Sequence, residues 1–468
     1  MKAFLQNPIG NRSTWPLLLL IAFLVVLVRA TVFLVDTTQA GIGDDVDGYL
    51  EIARNVVSGR GYSILRYSTS AEFVPTAIRG PTVVYFFSAV LWFFGDHLWS
   101  IVIAQWLAEV GTSILLFFIT MEIFHDRRIA FIACLLFAFY EPGLIFTFRG
   151  WSEPMFTLVL AGFTLSLLRA LHRPSTSRYA LCGFLLGLAV MARPVMQYFP
   201  LFMFPLAWWA LGGRWRYVIP KVATFFIAFA VALLPWVVRN YRVFNAFIPG
   251  SNWSGLPFYE GNFALGEPDY LRHRGTEETR IPFRKALEAR FGPLPNNPEP
   301  ADVTNAKITN KAADPSAIYA NAKGMNEFQL NQFAFHEAMK VVREFPGRYV
   351  LVSIVRCFRV WFHHRFVAYV ILGGRLPRAW LVAAINAALL GLAAAAFAWR
   401  KVPWSRPAVV CLIVLVAYNS AIYAATNAVG RYSVPIIPYV MVFAAFTIVQ
   451  LLQRWQSNRI PLNLLTKA

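Results

Sequence analysis

Residues 15–35 read WPLLLLIAFLVVLVRATVFLV, an apolar run whose only charged residue is Arg29. A run of this length crosses a bilayer as one α-helix, because about 20 apolar residues span the hydrocarbon. Lys2 and Arg12 precede the run, and no small-residue cleavage site follows it. We therefore interpret it as an uncleaved first span and not as a removed signal peptide.

The rest of the chain repeats this pattern of apolar runs joined by short basic links. Of its 468 residues, 57% are hydrophobic and 16% are aromatic, while only 14% are charged. Soluble domains carry roughly 25% charged residues. Basic residues in short loops mark the cytoplasmic side of a membrane protein. The sequence therefore predicts an all-α polytopic membrane protein.

The net charge of +19 is placed largely in these short loops. No basic patch is interleaved with base-stacking aromatics on a polar surface, which excludes nucleic-acid binding as a function class. The 4 cysteines, at positions 134, 182, 357 and 411, are widely separated, and the 7 histidines lack metal-ligand spacing. The sequence thus indicates neither a disulfide framework nor a zinc site.

Threading the apolar runs through the membrane predicts a bundle of about 10 transmembrane helices. We place them at about 15–35, 100–124, 129–148, 154–171, 179–192, 196–211, 218–238, 379–399, 408–425 and 433–452. This even number leaves both termini in the cytoplasm and makes residues 36–99 the first outer loop. The apolar part of that loop, 81–95, is short for a span, so we expect an interfacial helix there and another over 349–371.

Three parts follow from this topology. Residues 1–238 form an N-terminal transmembrane module that includes the first outer loop, 239–348 form an outward-facing polar region, and 349–468 form C-terminal interfacial and transmembrane helices. Apolar residues such as Phe335 recur at helical spacing over 333–365, which predicts amphipathic helix in this segment.

Three carboxylates, Asp44, Asp45 and Asp47, stand just beyond the first span. Acidic side chains are costly near hydrocarbon, so the cluster needs a chemical reason. A partly buried carboxylate can act as general base toward an acceptor hydroxyl in inverting glycosyl transfer. The pair Asp45-x-Asp47 would also permit a divalent cation, without requiring one. The alternative is a solvated loop whose acids cap the helical stretch 49–57.

Lone arginines at the predicted outer ends of spans form a second set. The positive-inside rule disfavours cations on that side, so each arginine needs a partner. For any one of them, snorkelling or pairing with Glu141 or Glu153 is sufficient, and Glu153 itself could be a helix-terminal acid. Forked guanidinium bonds to the phosphate of a polyprenyl donor explain the whole set better. Its members are Arg79, Arg149, Arg193, Arg239 and Arg431.

Several short strings occur in a fixed order relative to the spans. They are Asp45-Val46-Asp47-Gly48-Tyr49, Arg79-Gly80-Pro81, Ser152-Glu153-Pro154, Ala192-Arg193-Pro194, Pro235-Trp236-Val237-Val238-Arg239-Asn240 and Arg431-Tyr432-Ser433-Val434-Pro435. Because it contains these strings in this order, the chain resembles the GT-C superfamily of membrane glycosyltransferases. The most similar branch comprises bacterial relatives of dolichyl-phosphate-mannose protein mannosyltransferases and the lipid A aminoarabinose transferase.

The resemblance implies a GT-C-type bundle in a bacterial inner membrane, with an active site that faces outward. It implies that Asp45 is the base, with Asp47 and Asp44 as second choices, and that the arginines bind the donor phosphate. Residues expected to shape the acceptor site are Tyr49, Glu141, Glu153 and Tyr432. Any metal would be held by Asp45 and Asp47.

The sequence therefore predicts an inverting glycosyltransferase that moves a hexosyl or pentosyl group from a polyprenyl-phosphate donor to a lipid, glycan or protein acceptor. One alternative is a transporter or flippase of lipid-linked sugars, which tends to place ionisable groups near the bilayer midplane. Another is a non-catalytic membrane subunit, which would not need acids and arginines on one face.

Overall fold

The chain folds into a helical bundle with one small β-hairpin in its described part. The computed structural model describes residues 14–35, 48–67, 71–148, 150–262, 265–266, 326–362, 378–398, 402, 406–428 and 430–459. Within these ranges the first elements are α1 (Trp15–Val35), α2 (Tyr49–Val57), β1 (Ser63–Tyr67), β2 (Ala71–Pro75), α3 (Pro81–Phe94), α4 (Leu98–Phe124), α5 (Arg127–Ala138) and α6 (Glu141–Leu144).

The remaining elements continue the bundle. They are α7 (Glu153–His172), α8 (Thr176–Ala192), α9 (Met203–Ala210), α10 (Trp215–Phe244), α11 (Gly255–Asn262), α12 (Glu327–Glu344), α13 (Pro346–Phe362), α14 (Arg378–Ala398), α15 (Pro407–Ala425) and α16 (Ile437–Arg459). Short 3-10 turns occupy Ile145–Phe148, Pro194–Phe202 and Gly430–Ser433.

Six of the described helices, α1, α4, α7, α10, α15 and α16, are long and apolar enough to cross a membrane. The pair formed by α5 and Glu141–Phe148 is bent by 60° and would be a seventh span. Shorter apolar helices occur at Pro81–Phe94, Thr176–Ala192 and Val382–Ala398. The chain is a multi-pass integral membrane protein, as the composition predicts, and the count of about ten spans stays a prediction.

Helices α8 and α10 pack with their backbones in close approach. A side chain at Gly183 would collide with the Phe225 carbonyl, and one at Gly187 would collide with Ala232. Small residues four apart on one helix face allow such packing where there is no water to drive association. This packing fixes α8, whose last residue, Ala192, directly precedes Arg193.

The polar part of the C-terminal half differs from the prediction. The segment predicted as amphipathic helix over 333–365 is helical as far as Phe362, but it is divided in two, because α12 ends at Glu344 and α13 begins at Pro346. Proline lacks the backbone N–H that would continue a helix, but it suits the start of a new one. The hairpin of β1 and β2, which pairs Ser63 with Pro75, was not predicted.

A buried ion pair joins α1 to α4. Arg29, which is 1% exposed, places Nη2 2.5 Å from Glu109 Oε2. Its Nη1 donates to the Val25 and Ala138 carbonyls at 3.2 Å each. Ala138 ends α5 at the bend of the broken span, so Arg29 satisfies a carbonyl that the bend leaves without its helical partner.

We expect Arg29→Met to lower the free energy of unfolding by roughly 3–5 kcal/mol, because Glu109 would be left as an uncompensated buried charge. The double variant Arg29→Met/Glu109→Leu should recover much of that loss. Thermal unfolding in detergent measures both. Arg169→Met is the matched control, since Arg169 pairs with Glu122 at 47% side-chain exposure. A double variant no more stable than the single one would contradict the compensation.

Candidate functional site

The first turn of α7 carries a buried carboxylate between two arginines. Glu153 is fully buried, and its Oε1 lies 2.5 Å from Arg193 Nη2 and 3.7 Å from Arg431 Nε. Arg193 also donates from Nε and Nη2 to the Ser152 hydroxyl, at 3.0 and 2.8 Å. An acid is electrostatically favoured at a helix N-terminus. Here it also ties the end of α8 and the 430–433 turn to α7.

Aromatic rings surround these guanidinium groups. Arg431 Cζ lies 4.4 Å from the centre of the Trp151 ring, and Arg193 Cζ lies 5.9 Å from that of Tyr432. Tyr432 in turn stacks on Tyr423 with ring centres 4.2 Å apart. The negative face of an aromatic ring attracts a guanidinium group but does not neutralise its charge. One carboxylate therefore faces two cations at this point.

The third arginine, Arg79, reaches the same region from the segment that leads into α3. Its Cζ lies 5.4 Å from the Tyr49 ring and 4.7 Å from the Trp253 ring, and the residue is 7% exposed. Tyr49 is also close enough to Arg193 to interact with it electrostatically. We call Arg79, Arg193, Arg431, Glu153 and Tyr49 the arginine cluster.

Gly80 explains how Arg79 comes close to Arg193. A side chain at position 80 would overlap the Met191 carbonyl near the end of α8. Only glycine allows the outer-loop backbone to lie directly against that helix end. Arg79 directly precedes Gly80, and Arg193 follows Met191 by two residues, so the contact brings the two arginines together.

Arg239 has a different environment. Its Nη1 donates to the Thr76 carbonyl at 2.6 Å and its Nη2 donates to the Tyr62 carbonyl at 2.9 Å. The guanidinium also lies 5.1 Å from the Trp236 ring. These contacts place Arg239 on the backbone that leads to Arg79, and we therefore describe it as a support of the arginine cluster.

The other predicted site residues divide into two groups. Asp44, Asp45, Asp47 and Arg149 lie outside the described residues. Glu141 begins α6, at the bend of the broken span, and Tyr432 belongs to the aromatic surround of Arg193. The described part of the chain holds no group of three His, Cys, Asp or Glu side chains suited to a metal ion.

Sequence reasoning missed several residues that build this site. Tyr62, Trp253 and Tyr423 were not predicted as site residues, although the Tyr62 hydroxyl donates to the Arg79 carbonyl at 2.8 Å. Glu327, far away in the sequence, was also missed. Its carboxyl accepts hydrogen bonds from the Ala77 N–H at 2.9 Å and the Thr76 hydroxyl at 2.6 Å.

Burial raises the pKa of the Glu327 carboxyl from its ordinary value of 4.5 to about 7. The hydrogen bonds from Thr76, Ala77 and Asn252 and the nearby Arg239 favour the charged form, and they offset only part of the burial effect. This glutamate therefore titrates near neutral pH.

Comparisons with known proteins relate the chain to one family model and to several solved structures. Residues 78–238 match the family model described as dolichyl-phosphate-mannose-protein mannosyltransferase. This range contains Arg79, Glu153 and Arg193. No curated protein sequence matched the chain.

Two archaeal structures share the architecture. One is the oligosaccharyltransferase AglB from Archaeoglobus fulgidus in complex with an inhibitory peptide and a dolichol-phosphate, at 14% identity and a TM-score of 0.55. The other is the oligosaccharyltransferase of the same organism in complex with Zn and sulfate, at 16% identity and a TM-score of 0.54. The chain shares the fold of these two oligosaccharyltransferases. In both cases 96% of this chain is covered, and it spans about half (51%) of the archaeal chain.

ArnT from Cupriavidus metallidurans bound to undecaprenyl phosphate also matches, at 14% identity over 92% of this chain and 78% of that chain. Its TM-score of 0.38 is too low to compare the two folds in detail. The resemblance to GT-C enzymes that the sequence predicts is confirmed by the family-model match and by the fold shared with the archaeal structures.

The raised pKa of Glu327 predicts how stability depends on pH. The folded protein holds this proton up to about pH 7 and the unfolded chain only up to about 4.5, so the contribution of Glu327 to stability is complete below pH 4.5 and decreases between the two values. Thermal unfolding in detergent at pH 5 and pH 7.5 should show wild type losing stability relative to Glu327→Gln as pH rises. Parallel changes in the two proteins would contradict the assignment.

Proposed function

We propose that the protein is an inverting glycosyltransferase that transfers a hexosyl or pentosyl group from a polyprenyl-phosphate donor to an acceptor at the outer face of a bacterial inner membrane. The observation that carries the proposal is the convergence of Arg193 and Arg431 on the buried Glu153 carboxylate, with Arg79 held nearby over the Tyr49 ring. The acceptor is a lipid, a glycan or a protein.

The chemistry of the leaving group explains why such a cluster is needed. When the bond between the anomeric carbon and the phosphate oxygen breaks, its electron pair stays on that oxygen as negative charge. Preorganised cations at a partly dry site stabilise developing charge strongly. Glu153 fixes Arg193, while Arg431, with 22% of its side chain exposed, lies at the accessible side of the pair. We assign Arg431 and Arg79 to the donor phosphate and Arg193 to the support of both.

Asp45 is proposed as the base that accepts the proton of the acceptor hydroxyl while the hydroxyl oxygen attacks the anomeric carbon. Its support is its place in the sequence, four residues before Tyr49, which lies beside Arg79 in the arginine cluster. Asp47 and Asp44 are the second choices. A carboxylate suits this role when partial burial raises its pKa toward neutral pH.

The transporter alternative depends on ionisable groups deep in the membrane. The described spans contain such a pair, Arg29 with Glu109, but its two charges face each other at 2.5 Å, and Arg29 also donates to the Val25 and Ala138 carbonyls. This arrangement favours a structural pair over a transport site. Cleavage of the donor separates the alternatives, because a transporter or scaffold leaves the sugar attached.

In proteoliposomes with radiolabelled polyprenyl-phosphate mannose, followed by a panel of other polyprenyl-phosphate sugars, wild type should release one sugar. Asp45→Asn should abolish release, because the amide cannot accept the proton. Asp96→Asn is the matched control in the same outer loop, since Asp96 is 54% exposed in its pair with Arg54. Retained release in Asp45→Asn would remove Asp45 from the mechanism, and wild type that cleaves none of the donors would overturn the proposed function.

Arg431→Gln should lower kcat for the same donor by roughly 10²–10³-fold, the usual effect of removing one preorganised donor of charge stabilisation. Arg169→Gln is the control for a lost guanidinium, because Arg169 pairs with Glu122 at the surface of the bundle. Elution on size exclusion should be unchanged in both variants. Equal kcat values in the two variants would contradict the assignment of Arg431 to the phosphate.

A further inference from the structure

Glu327 is buried although the start of its helix does not need it. Asn326 and Gln329 already form a capping box, with the Gln329 N–H bonded to Asn326 Oδ1 at 2.9 Å and the Asn326 N–H bonded to Gln329 Oε1 at 3.0 Å. The helix dipole favours an acid in this turn, but an exposed acid gains that benefit without the cost of burial. Glu327 is only 9% exposed. Its burial therefore has another cause.

The cause is a set of bonds to two other segments of the chain. Oε2 accepts from the Thr76 hydroxyl at 2.6 Å, and Oε1 accepts from the Ala77 N–H at 2.9 Å. The same Oε1 accepts from Asn252 Nδ2 at 3.2 Å. One carboxyl group thus joins residues 76–77 to residue 252. We call Glu327, Thr76, Ala77 and Asn252 the Glu327 clamp.

The residues that follow these two segments contact each other in the arginine cluster. Arg79 comes two residues after Ala77, and Trp253 comes directly after Asn252. The guanidinium of Arg79 lies 4.7 Å from the Trp253 ring. A backbone bond from the Asn252 N–H to the Ala77 carbonyl, at 2.6 Å, keeps the two segments side by side. The Glu327 clamp therefore sets the position of both the Arg79 guanidinium and the Trp253 ring.

We propose that Glu327 is a positioning residue that holds Arg79 against Trp253, and so directs its guanidinium to the donor phosphate. What Arg79 binds rests on the proposed function, whereas the clamp itself rests on the hydrogen bonds alone. Charged and titratable neighbours of the carboxyl are Arg239 on α10 and Tyr62 beside the hairpin. Arg239 donates to the Thr76 carbonyl, and the Tyr62 hydroxyl donates to the Arg79 carbonyl. Both side chains therefore support residues 76–79 from other sides.

Hydrogen exchange measured by mass spectrometry tests the clamp without any activity assay. In Glu327→Ala, the peptide that contains residues 76–80 should lose protection, because the Ala77 N–H loses its acceptor. Glu327→Gln keeps an acceptor oxygen and should retain wild-type protection. Glu337→Gln, on the same helix and in an exposed pair with Lys340, is the matched control. Unchanged protection in Glu327→Ala would overturn the proposal.

A double-mutant cycle on donor cleavage tests the positioning of Arg79. Glu327→Ala should lower kcat/KM for the cleaved polyprenyl-phosphate sugar by about tenfold in wild type, but by less than twofold in an Arg79→Ala background, because the two residues act as a unit. Glu327→Gln should restore most of the loss. An equal effect of Glu327→Ala in both backgrounds would mean general destabilisation and would overturn the positioning role.

Two provisions keep the outcomes separate. If Glu327→Ala does not fold, Asn252→Ala, which removes one of the three bonds, takes its place in both experiments with the same expected signs. If wild type cleaves none of the donors, the proposed function fails, and the exchange of residues 76–80 still decides whether Glu327 holds that segment.

Discussion

The buried ion pair between Glu153 and Arg193 is the interaction on which the site depends. It joins the first turn of α7 to the last turn of α8, and Arg431 brings the 430–433 turn to the same carboxylate. A buried pair of this kind contributes little to stability overall, but loss of either partner is costly. Its value here is geometric, because it fixes where two guanidinium groups lie relative to each other while leaving the set with net positive charge.

Supporting contacts extend this geometry to residues 76–80, which lead into α3. Gly80 lets the backbone lie against the Met191 carbonyl, and the Glu327 clamp and Arg239 hold residues 76–77 from other sides. The polar region beyond α10 thus contributes to the site through single side chains that reach back to the loop. An enzyme needs such support, because a reacting group displaced by 1 Å can lose about 10²-fold in rate.

The sequence predicts the membrane helices well and the site in part. Helices α1, α4, α7 and α15 begin within about two residues of the predicted positions, because hydropathy and length determine a span. The arginines and Glu153 could be found because charge is rare and costly beside hydrocarbon. The contact of Glu327 with Ala77 crosses 250 residues, and no local pattern reports such a distance in sequence. The break at Pro346 was missed because apolar spacing continues across it.

The most direct test is a structure of the protein in lipid nanodiscs with undecaprenyl phosphate added. We expect the phosphate within hydrogen-bond distance of the guanidinium of Arg431 or Arg79, beside the buried carboxylate that holds Arg193. A phosphate bound instead among the basic loops at the opposite ends of the spans, such as the one at Arg127 and Arg128, would contradict it.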